Sequence, residues 1–113
     1  MAALLHILAC EWINIAIECT ATAWVRLARF PLAVAGVNLV THPLLMAVLA
    51  WFGRGPGLVL PCEAAIVVAE WAMLCAIYRA GGAGEDRPSR RLLFAVSLLM
   101  NAASYATGLL LAL

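Results

Sequence analysis

The sequence predicts an all-α integral membrane protein: four transmembrane helices forming two tandem two-helix hairpins, related by a pseudo-two-fold axis along the membrane normal. Three observations predict it. First, 66% of the 113 residues are hydrophobic and only 12% are charged, whereas a soluble domain is about 45–50% apolar and about 25% charged. Second, four stretches, 2–25, 31–52, 58–78 and 92–113, approach or exceed the roughly 20 apolar residues that span a bilayer. Third, CEWINIAIE at 10–18 returns as CEAAIVVAE at 62–70, and Asn38-Leu39-Val40-Thr41 returns as Asn101-Ala102-Ala103-Ser104.

The first stretch, 2–25, does not read as a cleaved signal peptide. It has no basic opening, and Glu11 and Glu18 fall where such a peptide is apolar. These two glutamates are seven residues apart, about two full helical turns, and so share one face with Asn14 between them. A short connection at 26–30 leads to the second stretch, where Pro31 suits an opening turn because its missing N–H has no helical partner there. Asn38, Thr41, His42 and Leu45 line one face of 31–52. Pro43 breaks the helical bond to the Leu39 carbonyl, which makes that oxygen a candidate ligand at membrane depth.

GRGPG at 53–57 is a turn by composition, and Pro61 falls near the start of the third stretch. Glu63 and Glu70 share a face there as Glu11 and Glu18 do in the first. The one sizeable polar loop, GGAGEDRPSRR at 81–91, holds Glu85 and Asp86, the only acids outside the expected spans. In the fourth stretch Ser97, Asn101, Ser104, Tyr105 and Gly108 fall on a common face. No ten-residue alternation of a membrane barrel is present.

Cys10, Glu11 and Glu18 correspond to Cys62, Glu63 and Glu70 at a constant shift of 52, while Asn38 and Thr41 correspond to Asn101 and Ser104 at a shift of 63. The extra residues fall in the 81–91 loop, where insertion costs little. The chain is therefore read as a single transmembrane domain, 1–113, with one repeat at 1–52 and a second at 57–113. A unit of two spans enters the membrane the same way each time, which makes the repeats parallel. Arg26 and Arg29 fall in the first connection and Arg79, Arg87, Arg90 and Arg91 around the third, against Arg54 alone in the second. The positive-inside rule then puts 26–30 and 79–91 in the cytoplasm and both termini outside a multi-pass protein of the cell membrane.

Counting inward from the arginines at about 1.5 Å per residue sets Glu18, Glu70, Asn38 and Asn101 in one layer. Glu11 and Glu63 lie farther out, with Thr41, His42 and Ser104 in between or alongside. A charge at a helix centre costs at least about 2.5–3.5 kcal/mol on insertion scales, so these acids are expected to face the bundle interior, an oligomer interface or water. Carboxylate, amide and hydroxyl oxygens suit a hard divalent or monovalent cation, or protons; Glu18, Glu70 and His42 are the candidate metal ligands, and Cys10 with Cys62 would favour softer metals. The function expected is cation or proton binding or conduction. The alternative is an accessory or scaffolding subunit of a larger membrane complex, its acids used for helix or partner contacts.

No nucleophile motif, phosphate loop or zinc-hydrolase pattern is present, and the chain is read as not an enzyme. A net charge of +1 without a single lysine offers no face to nucleic acid. The expected partners are the lipid bilayer and either further copies of the chain or another membrane protein. The four cysteines lie within apolar segments and are expected to be free thiols. Trp12, Trp24, Trp51 and Trp71 are expected as interfacial or lipid-facing anchors.

Overall fold

Long runs of Leu, Ala and Met with few interruptions give four helices, in the order α1 (Ala2–Ala21), α2 (Phe30–Phe52), α3 (Pro56–Tyr78) and α4 (Arg90–Ala112). The computed structural model describes residues 1–25, 27, 29–53, 55–79 and 87–112. The expectations placed on Arg26, Arg54, Glu85, Asp86 and most of the 81–91 loop, and on the packing of Gly108, lie outside what it describes. Among the described residues there is no strand. Three helices among the described residues are long and apolar enough to cross a membrane: Leu4–Ala21, Phe30–Phe52 and Gly57–Tyr78.

The helix ends follow local chemistry. α1 stops at Ala21, short of the expected Val25, where the Thr22 hydroxyl folds back on the Glu18 carbonyl at 2.7 Å beside its own N–H. Such back-bonding competes with continuing the helix. α2 ends at Gly53, whose φ of 100° is a backbone setting that L side chains avoid. At the other connection the Ser89 hydroxyl caps α4 by accepting the Leu92 N–H at 3.1 Å. Pro43 and Pro61 are both accommodated inside helices.

Each helix packs against its neighbours in the order α1, α2, α3, α4 and back to α1, and among the described residues the backbones of the diagonal pairs stay more than 8 Å apart, Cα to Cα. The result is a closed ring of four antiparallel neighbours. In such a ring the α1–α2 and α3–α4 connections share one end, and the described arginines, Arg29, Arg79, Arg87, Arg90 and Arg91, are all exposed there. Just inside that end an apolar cluster fills the ring: Phe30, Val34 and Val37 of α2, Leu74 of α3, and Leu93, Val96 and Met100 of α4. Phe30 meets Tyr78 with ring centroids 6.3 Å apart.

The distribution of polarity is inverted relative to a soluble bundle. Glu11, Glu18, Thr22, Asn38, Thr41, Glu70, Ser97 and Asn101 are buried, while leucines, tryptophans and valines cover the outside. Trp12, Trp24 and Trp51 are exposed as expected. Trp71, half-buried, also makes a contact between helices: its indole N–H donates to the Arg90 carbonyl at 3.0 Å and its ring meets Phe94 edge-on at 5.3 Å, so it fastens α3 to the start of α4. All four cysteines are free.

Candidate functional site

Above the apolar cluster, all four helices turn polar side chains toward one cavity of about 250 Å³. Glu18 comes from α1, Asn38 and His42 from α2, Glu63 and Glu70 from α3, and Asn101, Ser104 and Tyr105 from α4. A water needs only about 10–15 Å³ measured this way, so the space holds several waters or a hydrated ion.

The central layer expected from the sequence is present. Glu18 and Glu70 are each 1% exposed. The Asn38 amide donates one hydrogen to Glu18 Oε2 and the other to the Val34 carbonyl, one turn back on α2. The Asn101 amide does the same with Glu70 Oε2 and the Ser97 carbonyl on α4. Each asparagine is thereby locked to its own helix while it holds the glutamate of the preceding one.

The hydroxyls cross between the halves. Ser104 on α4 donates to Glu18 Oε1 at 2.8 Å, and Thr41 on α2 lies 2.8 Å from Glu70 Oε1. Thr41 Oγ1 is also 3.1 Å from the Val37 carbonyl of its own helix. Asn14, noted in the sequence only as lying on the glutamate stripe, bridges Glu18 Oε1 at 3.3 Å and Asn38 Oδ1 at 3.1 Å. A second link between α3 and α4 is the Ser97 hydroxyl, which donates to the Val67 carbonyl at 2.8 Å.

The outer layer is looser. Glu11 is buried, with Oε2 3.9 Å from His42 Nε2, and its Oε1 has no hydrogen-bond partner among the described residues. Glu63 is half-buried and lines the cavity without a hydrogen bond among the described residues. Leu39, whose carbonyl Pro43 releases, is 56% exposed on the outer face, and it is not among the residues lining the cavity. That carbonyl does not join the site.

The candidate thiol ligands stand elsewhere. Cys10 is exposed, its Sγ 3.7 Å from His6 Nε2 on the same helix, and Cys62 lies in a shallow apolar groove with Leu44 and Val48. Among the described residues no three of His, Cys, Asp and Glu gather closely enough to hold a metal ion. The structure therefore brings Glu18, Glu70 and His42 to one cavity without assembling them, or the two cysteines, into a metal-binding cluster.

No arginine among the described residues pairs with Glu11, Glu18, Glu63 or Glu70; the His42–Glu11 approach is the sole ion-pair contact found there. Chemically, the site is a chamber of carboxyl, amide and hydroxyl groups with no arginine beside it among the described residues. No family model, curated protein or solved structure matches the chain.

Proposed function

We propose that the chain is a multi-pass membrane protein, built as two tandem hairpins, that binds and exchanges a cation or protons at the Glu18/Glu70 chamber. One observation carries this reading: two carboxyl groups, each 1% exposed, face one cavity with no arginine against them among the described residues. A buried carboxylate without a counter-charge is costly, and only a proton or a mobile cation remains to neutralise it. The absence of a three-ligand cluster among the described residues favours protons or a monovalent cation over a tightly held transition metal.

Membrane insertion is supported by the apolar exterior over a polar interior and by a long axis of 46 Å, close to the roughly 40–45 Å of a bilayer with its headgroups. The tandem repeat is supported by the way the hydrogen bonds exchange under it. Replacing α1 by α3 and α2 by α4 converts Asn38–Glu18 into Asn101–Glu70, and Ser104–Glu18 into Thr41–Glu70. An axis along the membrane normal does this, and the arginine end then faces the cytoplasm with both termini outside.

The test is purified protein in lipid vesicles, challenged with a panel of mono- and divalent cations under an imposed pH gradient. The expected result is proton release or uptake that depends on a monovalent cation, together with a cation-dependent rise in thermal stability. Cysteine labelling in the same vesicles should find residue 54 and the 79–91 loop on opposite faces; the same face for both would overturn the topology. If no cation shifts stability or moves protons, and changes at Glu18 and Glu70 alter only capture of a second membrane protein, the accessory-subunit reading replaces this one.

A further inference from the structure

The two glutamates are matched in sequence, burial and amide partner, yet their hydrogen bonds are unequal. Glu18 receives donors from Asn38, Asn14 and Ser104. The Asn14 and Asn38 amides have both hydrogens committed, and the Ser104 hydroxyl makes no other hydrogen bond among the described residues. Its single proton has no competing acceptor there and is free to point at Glu18. Three donors converging on one carboxyl stabilise the ionised form.

Glu70 has one unconditional donor, Asn101. Its second neighbour, Thr41 Oγ1, is within hydrogen-bond distance of two acceptors, Glu70 Oε1 at 2.8 Å and the Val37 carbonyl at 3.1 Å. A hydroxyl has one proton to give. Unless that one proton is shared in a weaker three-centre bond, both contacts are hydrogen bonds at once when Glu70 is itself protonated, donating from Oε1 to Thr41 Oγ1 while Thr41 donates to Val37.

The sequence supplies the cause of the difference. At the shift of 52, Asn14 of the first hairpin corresponds to Ile66 of the second, and Ile66 lines the same cavity. Asn38 Oδ1 accepts from Asn14, but Asn101 Oδ1, on a side chain 8% exposed in the cavity wall, meets no donor among the described residues. Among the described residues, an acceptor that Asn14 satisfies beside Glu18 thus meets no donor beside Glu70.

Resting on the function proposed above, we infer that Glu70 holds the exchangeable proton of the pair and Glu18 remains ionised, with Thr41 as a hydroxyl switch and Ile66 as the residue that makes the two glutamates unequal. The titratable groups sharing the chamber are Glu18 from α1, His42 from α2, Glu63 from α3 itself and Tyr105 from α4. When the Glu70 proton leaves to cavity water, the Thr41 O–H turns from the Val37 carbonyl to Glu70 Oε1, and Val37 keeps its helical N–H bond. One proton out leaves one new negative charge. A monovalent cation entering against Glu70 Oε1 and Asn101 Oδ1 restores the balance, so exchange is one for one.

Infrared spectroscopy of the protein in lipid, read in the carbonyl band of protonated carboxyl groups at neutral pH, tests the assignment. Glu70→Gln is expected to remove the absorbance of one protonated carboxyl. Thr41→Val should shift the frequency of that band, because the acid loses its acceptor, while Thr41→Ser restores it; a merely structural hydroxyl would move neither. Asn14→Ile, which gives the first hairpin the second's residue, should add absorbance as Glu18 loses a donor. A band unchanged in Glu70→Gln overturns the inference, as does one indifferent to Thr41→Val in protein that still folds. The vesicle experiment fails separately: absence of exchange with the band assigned to Glu70 rejects the function and leaves the proton placement standing.

Discussion

Glu18→Gln and Glu70→Gln are each expected to reduce cation-linked proton exchange in vesicles by about ten- to hundredfold, with assembly retained. Gln keeps the shape and hydrogen-bonding capacity of a neutral Glu but cannot ionise. At Glu18 the change removes the fixed anion that draws a cation into the chamber, and at Glu70 it removes the proton to be exchanged. A hydrogen bond or contact to a charged group contributes about 1.5–3 kcal/mol, and about 1.4 kcal/mol is a factor of ten. Groups that act as a unit lose function together, so the double variant should fall little below either single one. Independent, additive losses would mean two separate sites. Unchanged exchange in both would mean that the acids are structural.

Asn38→Leu is expected to destabilise the bundle by about 2–4 kcal/mol, and Asn101→Leu by about 1–2 kcal/mol, each orphaned polar group costing about 1–3 kcal/mol. The estimates are held down because interhelical polar contacts in membranes average only about 0.6 kcal/mol. The inequality follows from connectivity. Asn38 joins Glu18, Asn14 and the Val34 carbonyl, whereas Asn101 joins only Glu70 and the Ser97 carbonyl. Losing Asn38 strands a carboxyl oxygen and an amide donor together. Equilibrium unfolding in mixed micelles measures both variants, and equal losses, or a larger one at Asn101, would contradict this account.

The helices and the inner layer were legible because their signals are local. A run of apolar residues sets a span, and a glutamate seven residues from another must share its face. Thr41 and Ser104 were singled out for their place in the repeat, but their reach across to the opposite hairpin's glutamate was not visible. Contacts between residues 41 and 70, or 18 and 104, depend on which helices become neighbours, and periodicity within one helix does not contain that. Asn14 was visible on the stripe and undervalued because it has no equivalent in the second hairpin. Hydropathy also cannot register that the Trp71 indole N–H reaches the Arg90 carbonyl at the start of the next helix. The cysteines matched each other at the shift of 52, yet Cys10 points outward, since residue 10 follows the exposed side of α1 while residue 11 follows the buried one.

The apolar cluster at the arginine end has an electrical consequence. Val34, Leu74, Leu93, Val96 and Met100 are all 0% exposed, and Phe30, at the far side of the cluster, lies about 12 Å along α2 from Asn38 at 1.5 Å per residue. In the membrane proposed above, this is a dielectric plug beneath a wet cup. A wetted cup holds its acids near the potential of the outer solution, and the transmembrane voltage, about 2.3 kcal/mol per charge at 100 mV, falls across the plug. A bilayer containing only this chain should therefore pass no steady current under voltage clamp. Charge that does cross must wait for the helices to part there, on the microsecond-to-millisecond scale of packed helices shifting rather than the free flow of an open pore.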